Sequence, residues 1–130
     1  MTAADRRRRI FLVDDHPLVR EWLSNLIERQ PDLHVCGQAA TSVAAYSAIV
    51  SLQPDVVIVD LSLESGSGLE LIKHVKLLPG FRFTPILTLT TESQPEKRDE
   101  GKRLGATGWL VKPVSGTDLV KVIKQVLPGS

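Results

Sequence analysis

One stretch of the chain decides the fold: Ile10-Phe11-Leu12-Val13-Asp14-Asp15, four apolar residues that end in two carboxylates. Short apolar runs of this kind are typical of strands buried on both faces of a parallel sheet. Similar runs recur at residues 56–59, before Asp60, and at residues 109–111, before Lys112. Charges just past such strands lie at the edge where open α/β sheets bind ligands. The pattern therefore predicts one acidic pocket with a lysine beside it.

The composition predicts an ordinary globular protein of one domain: 130 residues, 42% hydrophobic and 24% charged. The net charge of +1 argues against broad electrostatic binding of nucleic acid. No apolar run approaches the roughly 20 residues that span a bilayer, and no secretory signal follows Met1, so we expect no membrane association. The single cysteine, Cys36, cannot form an internal disulfide, which favours a cytoplasmic location. We expect residues 1–8 to be a solvated lead-in and residues 9–128 to form the domain.

Apolar runs and amphipathic stretches alternate along the whole chain. This order predicts five strands and five helices in a doubly wound α/β fold with a parallel sheet. Five strands favour the flavodoxin-like order 2-1-3-4-5. The predicted strands are residues 10–13, 33–39, 55–60, 85–90 and 109–111.

Helix starts and faces are predicted from caps and from the i, i+3, i+4 spacing of apolar residues. Pro17 suits the first turn of the first helix, Ser42 can cap the second, and Ser115 or Thr117 can cap the last. The residues expected to face the core in the first two helices are Val19, Trp22, Leu23, Leu26, Ile27, Val43, Tyr46, Ile49 and Val50.

In this strand order Asp14, Asp15 and Asp60 share one crevice, with Thr90 and Lys112 on its other wall. A carboxylate such as Asp60 can attack phosphorus and form an acyl phosphate. Hard carboxylate oxygens suit Mg²⁺, with Asp15 and Asp60 as direct ligands and Asp14 bound through water. Lys112 and the Thr90 hydroxyl would contact phosphoryl oxygens. A lone acid after a strand is usually a cap or a turn residue, but several in register favour a functional pocket.

Over residues 9–127 the chain resembles the receiver domains of bacterial two-component response regulators. The motifs that carry the resemblance are Val13-Asp14-Asp15-His16-Pro17, Val59-Asp60-Leu61, Leu89-Thr90-Thr91-Glu92, Gly105-Ala106-Thr107-Gly108-Trp109 and Lys112-Pro113. The first half of the chain resembles the receivers of DNA-binding regulators, and the second half resembles chemotaxis receivers. The family position favours a cis peptide bond between Lys112 and Pro113.

The resemblance implies a role for each site residue. Asp60 would accept a phosphoryl group from a sensor histidine kinase or a histidine phosphotransfer protein. Mg²⁺ would be the cofactor, held by Asp14, Asp15, Asp60 and the Ser62 backbone carbonyl. Thr90 and Trp109 would be the switch pair, the two residues that change position when Asp60 is phosphorylated.

The resemblance also implies a signalling protein rather than an enzyme. The domain would catalyse only its own phosphoryl transfer and autodephosphorylation. Phosphorylation would change the face formed by the fourth helix, the fifth strand and the fifth helix, and so control a protein partner. Direct nucleic-acid binding by this domain is not expected, and dimerisation on phosphorylation stays open. Departures from the family pattern concern Glu64 in place of a proline, Val114 in place of an aromatic residue, and the residues Ser62 and Glu92, which tune phosphoryl lifetime in the family.

Three functions remain open from the sequence. The first is a stand-alone receiver, which the end of the chain directly after the last predicted helix favours. The second is the excised receiver of a DNA-binding transcriptional regulator. The third is a metal-dependent phosphohydrolase, for which no acid/base group is evident. A nucleotide-binding module is disfavoured, because Gly66-Ser67-Gly68 lacks the third glycine of that motif. His16, His34 and His74 show no metal-ligand spacing.

Overall fold

The computed structural model describes residues 7–62, 68–91 and 95–127. Within these ranges five strands form one parallel sheet in the order β2-β1-β3-β4-β5, as predicted. The strands are β1 (Arg8–Val13), β2 (Leu33–Ala39), β3 (Val56–Asp60), β4 (Ile86–Thr90) and β5 (Gly108–Val111). The helices are α1 (Pro17–Glu28), α2 (Ser42–Leu52), α3 (Gly68–Leu77), α4 (Pro95–Leu104) and α5 (Gly116–Val126).

Apolar side chains fill both faces of the sheet, because successive residues of a strand point to opposite sides. Leu12, Ile58 and Leu89 pack with α1 and α5 on one side. Phe11 and Val59 pack with α2 and α3 on the other. This two-sided burial is the reason why the strands are continuous apolar runs in the sequence.

The limits of the five strands differ from the predicted limits by no more than two residues. β1 begins at Arg8, so the strand starts inside the expected lead-in of residues 1–8. α1 begins at Pro17 as predicted. The Ser115 hydroxyl caps α5 by accepting a hydrogen bond from the Asp118 N–H at 3.1 Å. The cap of α2 was wrongly placed at Ser42: the Thr41 hydroxyl accepts from the Ala44 N–H at 3.1 Å.

The buried face of α2 differs from the prediction. Ala45 and Ile49 are fully buried against the sheet. The residues expected there that are instead exposed are Val43, Tyr46 and Val50. Apolar residues lie all around α2, so periodicity could not select the face that docks. In α1, Leu23 and Ile27 are buried as predicted, whereas Trp22 is 45% exposed. None of the helices in the described part of the chain is long and apolar enough to cross a membrane.

Gly68, the first residue of α3, lies against the strand that carries Asp60. A Cβ added at Gly68 would lie 2.8 Å from the backbone carbonyl oxygen of Asp60. Because a strand backbone cannot move aside as a side chain can, we expect Gly68→Ala to lower the free energy of unfolding by about 2 kcal/mol, a usual cost of overpacking. Urea denaturation followed by circular dichroism measures this change.

Gly101→Ala in α4 is the matched control for Gly68→Ala. A Cβ at Gly101 would meet the Thr88 Cγ2 atom at 3.5 Å, which is an ordinary contact. Alanine also favours a helix over glycine by roughly 1 kcal/mol, so we expect Gly101→Ala to keep or raise the stability. A similar loss in both variants would show that Gly68 is under no special constraint.

Candidate functional site

Asp14, Asp15 and Asp60 come together at the carboxyl edge of the sheet, as the sequence predicted. β1 and β3 are neighbours in which Val13 pairs with Val59, so the residues that follow lie side by side. Asp60 is fully buried and Asp14 is 1% exposed. One carboxylate oxygen from each of the three acids lies in a group whose atoms are all within 4.8 Å of one another. Carboxylate oxygens this close to one another suit a small divalent cation.

Lys112 binds two of these acids. Its Nζ lies 3.0 Å from Asp60 Oδ2 and 3.2 Å from Asp14 Oδ2. Burial alone would lower the pKa of Lys112, but the hydrogen bonds and charges of Asp60 and Asp14 outweigh it and raise this pKa. The ammonium group therefore stays charged and offsets part of the repulsion among the carboxylates. The Lys112–Pro113 peptide bond that follows is cis, as predicted.

The two oxygens of Asp60 have different partners. Oδ1 accepts a hydrogen bond from the Ser62 N–H at 2.8 Å, and Oδ2 faces Lys112. These contacts hold the carboxylate in one orientation at the end of β3. Glu64 and Glu92, which the sequence marked as departures from the family, lie outside the described residues.

His16 joins the acidic group, which sequence reasoning missed. Its Nδ1 lies 2.9 Å from Asp14 Oδ1 and 3.1 Å from Asp15 Oδ1. The His16 backbone N–H also donates to Asp14 Oδ1 at 2.9 Å, so the chain turns here and the ring lies over the acids. The spacing of His16 along the chain gave no sign of this placement, because the pairing of β1 with β3 brings Asp60 near it.

The pKa of His16 gives a testable pH dependence. A hydrogen bond to Asp14 raises this pKa above its ordinary value of 6.5, and burial opposes the rise. A raised folded-state pKa means that protonated His16 stabilises the fold at pH values below the unfolded pKa. That stability is lost as the pH rises through the higher folded pKa. We expect an NMR titration of the His16 ring to have its midpoint above 6.5 and Asp14→Asn to lower that midpoint.

The control for this titration is Asp118→Asn, which removes an exposed carboxylate of α5. It should leave the His16 midpoint unchanged. A midpoint at or below 6.5 in the unmutated protein would contradict the proposed hydrogen bond to Asp14.

Thr90 and Thr88 are both 1% exposed. They are two residues apart in β4, so their side chains lie on the same side of the sheet. The Thr88 hydroxyl donates to the Gly108 carbonyl oxygen of β5 at 3.5 Å. Thr90 ends β4 at the carboxyl edge, one residue beyond Leu89, which pairs with Asp60. The strand register therefore places Thr90 nearer to the acidic group than Thr88.

Trp109 lies in β5 with 42% of its surface exposed. Two cations of α4 lie over its ring: the Arg98 Cζ is 5.2 Å and the Lys102 Nζ is 5.8 Å from the ring centroid. The indole therefore faces outward, beneath charged side chains of the neighbouring helix.

Comparison with known proteins identifies the family. The family model for the response regulator receiver domain matches residues 10–124 of the sequence. The chain belongs to this family. Phosphorylation and Mg²⁺ binding are typical of response regulator receivers in two-component systems, and the resemblance noted from the motifs is confirmed.

Similar sequences come from transcriptional regulators. The chain is 34% identical over 122 residues to the DNA-binding transcriptional activator DevR/DosR of Mycobacterium tuberculosis. The aligned region covers 93% of this chain and 55% of that protein. It is 31% identical over 122 residues to the nitrate/nitrite response regulator protein NarL of Escherichia coli K12, covering 92% of this chain and 55% of NarL. The chain thus spans about half the length of the curated relatives it matches.

Similar structures include a chemotaxis protein. The chemotaxis response regulator CheY4 of Vibrio cholerae matches with 37% identity and a TM-score of 0.85, over 93% of this chain and 99% of that one. A two-component response regulator of the LuxR family from Aurantimonas sp. SI85-9A1 matches with 35% identity and a TM-score of 0.85, over 95% and 86% of the two chains. Both likenesses support the flavodoxin-like order of the sheet.

Proposed function

We propose that the chain is a phosphorylation-dependent signalling switch and that Asp60 accepts the phosphoryl group from a histidine kinase or a histidine phosphotransfer protein. The observation that carries this proposal is the position of Asp60 between Ser62 and Lys112. One oxygen is held by the Ser62 N–H and the other lies 3.0 Å from the lysine ammonium. A carboxylate held in this way is oriented as a nucleophile.

The donor set supports Mg²⁺ as the cofactor. We propose that Asp14, Asp15, Asp60 and the Ser62 backbone carbonyl hold it, because hard oxygens in a small acidic group suit Mg²⁺. When bound, Mg²⁺ would supply positive charge for the phosphoryl oxygens.

The residues present support the following transfer. An Asp60 oxygen forms a bond to phosphorus while the bond between phosphorus and the donor nitrogen breaks, and the nitrogen keeps that electron pair. Lys112 lies beside Asp60 Oδ2, where it can neutralise charge on the transferred group. The domain catalyses only this transfer and its own dephosphorylation.

The output of the proposed switch is a change in surface. The Thr90 hydroxyl would move to the phosphoryl group, and the Trp109 ring would turn inward behind it. The face of α4, β5 and α5 would then differ between the two states and control a protein partner. The outward and 42% exposed Trp109 supports this proposal, because its ring has room to change position.

Trp109 fluorescence tests the proposal directly. A Trp22→Phe background leaves Trp109 as the sole tryptophan, because the chain has two. We expect acetyl phosphate with Mg²⁺ to change Trp109 emission and EDTA to prevent the change. Asp60→Asn should abolish the response. A full response in Asp60→Asn would show that Asp60 is not the phosphoacceptor.

A second proposal is that the chain is the receiver of a DNA-binding regulator. The relatives named as transcriptional regulators, of which the chain spans about half the length, favour it. In that case the controlled partner would be an output domain of the same polypeptide. An in-frame helix-turn-helix domain encoded downstream would support this proposal over a stand-alone receiver. Repeated turnover of a phosphomonoester would instead favour the phosphohydrolase.

A further inference from the structure

We infer that Arg98 and Lys102 are positioning residues that hold the Trp109 ring outward. They thereby set the equilibrium between the outward and inward positions of the ring. These two side chains form a cationic clasp. The inference rests on the proposed role of Trp109 and adds a regulation of that role. It assigns a function to α4 residues that neither the motifs nor the acidic group includes.

The clasp has the geometry of two cation–π contacts on one ring. The Arg98 Cζ and the Lys102 Nζ lie 5.2 and 5.8 Å from the Trp109 ring centroid. Both distances are within the roughly 6 Å over which the electron-rich face of an indole attracts a cation. Arg98 and Lys102 are four residues apart, so they project from the same face of α4. One ring therefore attracts both cations.

The packing of α4 places the clasp at the level of Trp109. Gly101, buried in α4, lies against β4, where a Cβ added to it would meet the Thr88 Cγ2 atom first. Thr88 pairs with Trp109 in the sheet. The Arg98 Nε is also 3.5 Å from Asp99 Oδ1, which steadies the guanidinium group. The helix therefore positions both cations, and an acid lies beside Arg98.

Turning the ring inward would break both contacts. A cation–π contact at an exposed site changes an equilibrium constant by a factor of roughly 2 to 5, so two contacts together change it by about tenfold. A ligand that binds only the inward state has an apparent affinity reduced by the fraction of molecules in that state. The clasp therefore lowers the apparent affinity for a phosphoryl analogue that binds the inward state by about tenfold.

The test measures the affinity for beryllofluoride, a reversible tetrahedral analogue of a phosphoryl group, by isothermal titration calorimetry with Mg²⁺ present. Arg98→Ala with Lys102→Ala should lower the Kd about tenfold. The matched control is Lys97→Ala with Arg103→Ala, which removes two other cations from the same helix; among the described residues the cation–π contacts to Trp109 come from Arg98 and Lys102. The control should leave the Kd unchanged. Exchanging the two cations, Arg98→Lys with Lys102→Arg, should keep the Kd near that of the parent.

A Trp109→Leu background separates the clasp from a direct effect of charge. In this background the Arg98→Ala and Lys102→Ala pair should change the Kd by less than about twofold, because no ring remains for the cations to hold. An undiminished change there, or an equal change in the control pair, would overturn the clasp. If beryllofluoride binds the parent and Asp60→Asn equally, or binds neither, the proposed function fails and the clasp fails with it. If Asp60→Asn alone loses binding and the clasp variants match the parent, only the clasp fails.

Discussion

Asp60→Asn is expected to reduce covalent phosphorylation of the protein by at least about 1000-fold, since removal of a nucleophile costs several orders of magnitude in rate. An amide lacks the charged oxygen that attacks phosphorus. The substitution keeps an oxygen that can accept from the Ser62 N–H, so the local geometry should survive. Transfer of labelled phosphate from a phosphorylated histidine kinase, or from acetyl phosphate, measures the rate, and intact-mass spectrometry counts the groups added.

The control for Asp60→Asn is Asp118→Asn, which changes an exposed acid of α5 by the same chemistry. It should be labelled at the rate of the parent. EDTA should abolish labelling of the parent and of Asp118→Asn if the acidic group binds a divalent cation for the transfer. Labelling of Asp60→Asn at the parental rate would mean that another side chain receives the phosphoryl group.

Lys112→Ala is expected to lower the free energy of unfolding by about 2 kcal/mol in EDTA, less than the roughly 3–5 kcal/mol lost when a fully buried ion pair is broken, because the lysine is partly exposed. Lys112 contacts both Asp60, which is fully buried, and Asp14. Without the ammonium group these carboxylates face each other with less compensating charge. Urea denaturation with and without Mg²⁺ measures the effect.

Mg²⁺ should restore stability to Lys112→Ala, because the ion supplies the lost positive charge. At a Mg²⁺ concentration ten times its Kd, binding to the folded state alone adds about 1.4 kcal/mol. The same variant should keep Mg²⁺ binding but lose the coupling of phosphorylation to Trp109 emission. Lys121→Ala, an exposed lysine of α5, serves as the control and should change neither property. Parental stability in EDTA together with a parental Trp109 response would refute the role of Lys112.

The sheet and the acidic group could be predicted because their signals are local. A strand buried on both faces is apolar throughout, and a charge at its carboxyl end has only one edge of the sheet to occupy. The strand order alone therefore predicts that Asp14, Asp60 and Lys112 lie together. The bounds of β2 were also predicted to the residue, since turn residues mark them.

Contacts between elements required the tertiary structure. Ala45 and Ile49 form the buried face of α2 because the helix docks on that side, and its apolar residues lie on every side. His16 meets the carboxylates through a turn whose direction no spacing rule contains. Arg98 and Lys102 reach Trp109 because α4 packs against β4, whose Thr88 pairs with Trp109 of β5. The sequence by itself determines the strand pattern and the positions of the charges, because both depend on consecutive residues. Tertiary packing determines the rotation of each helix and the partners of its side chains.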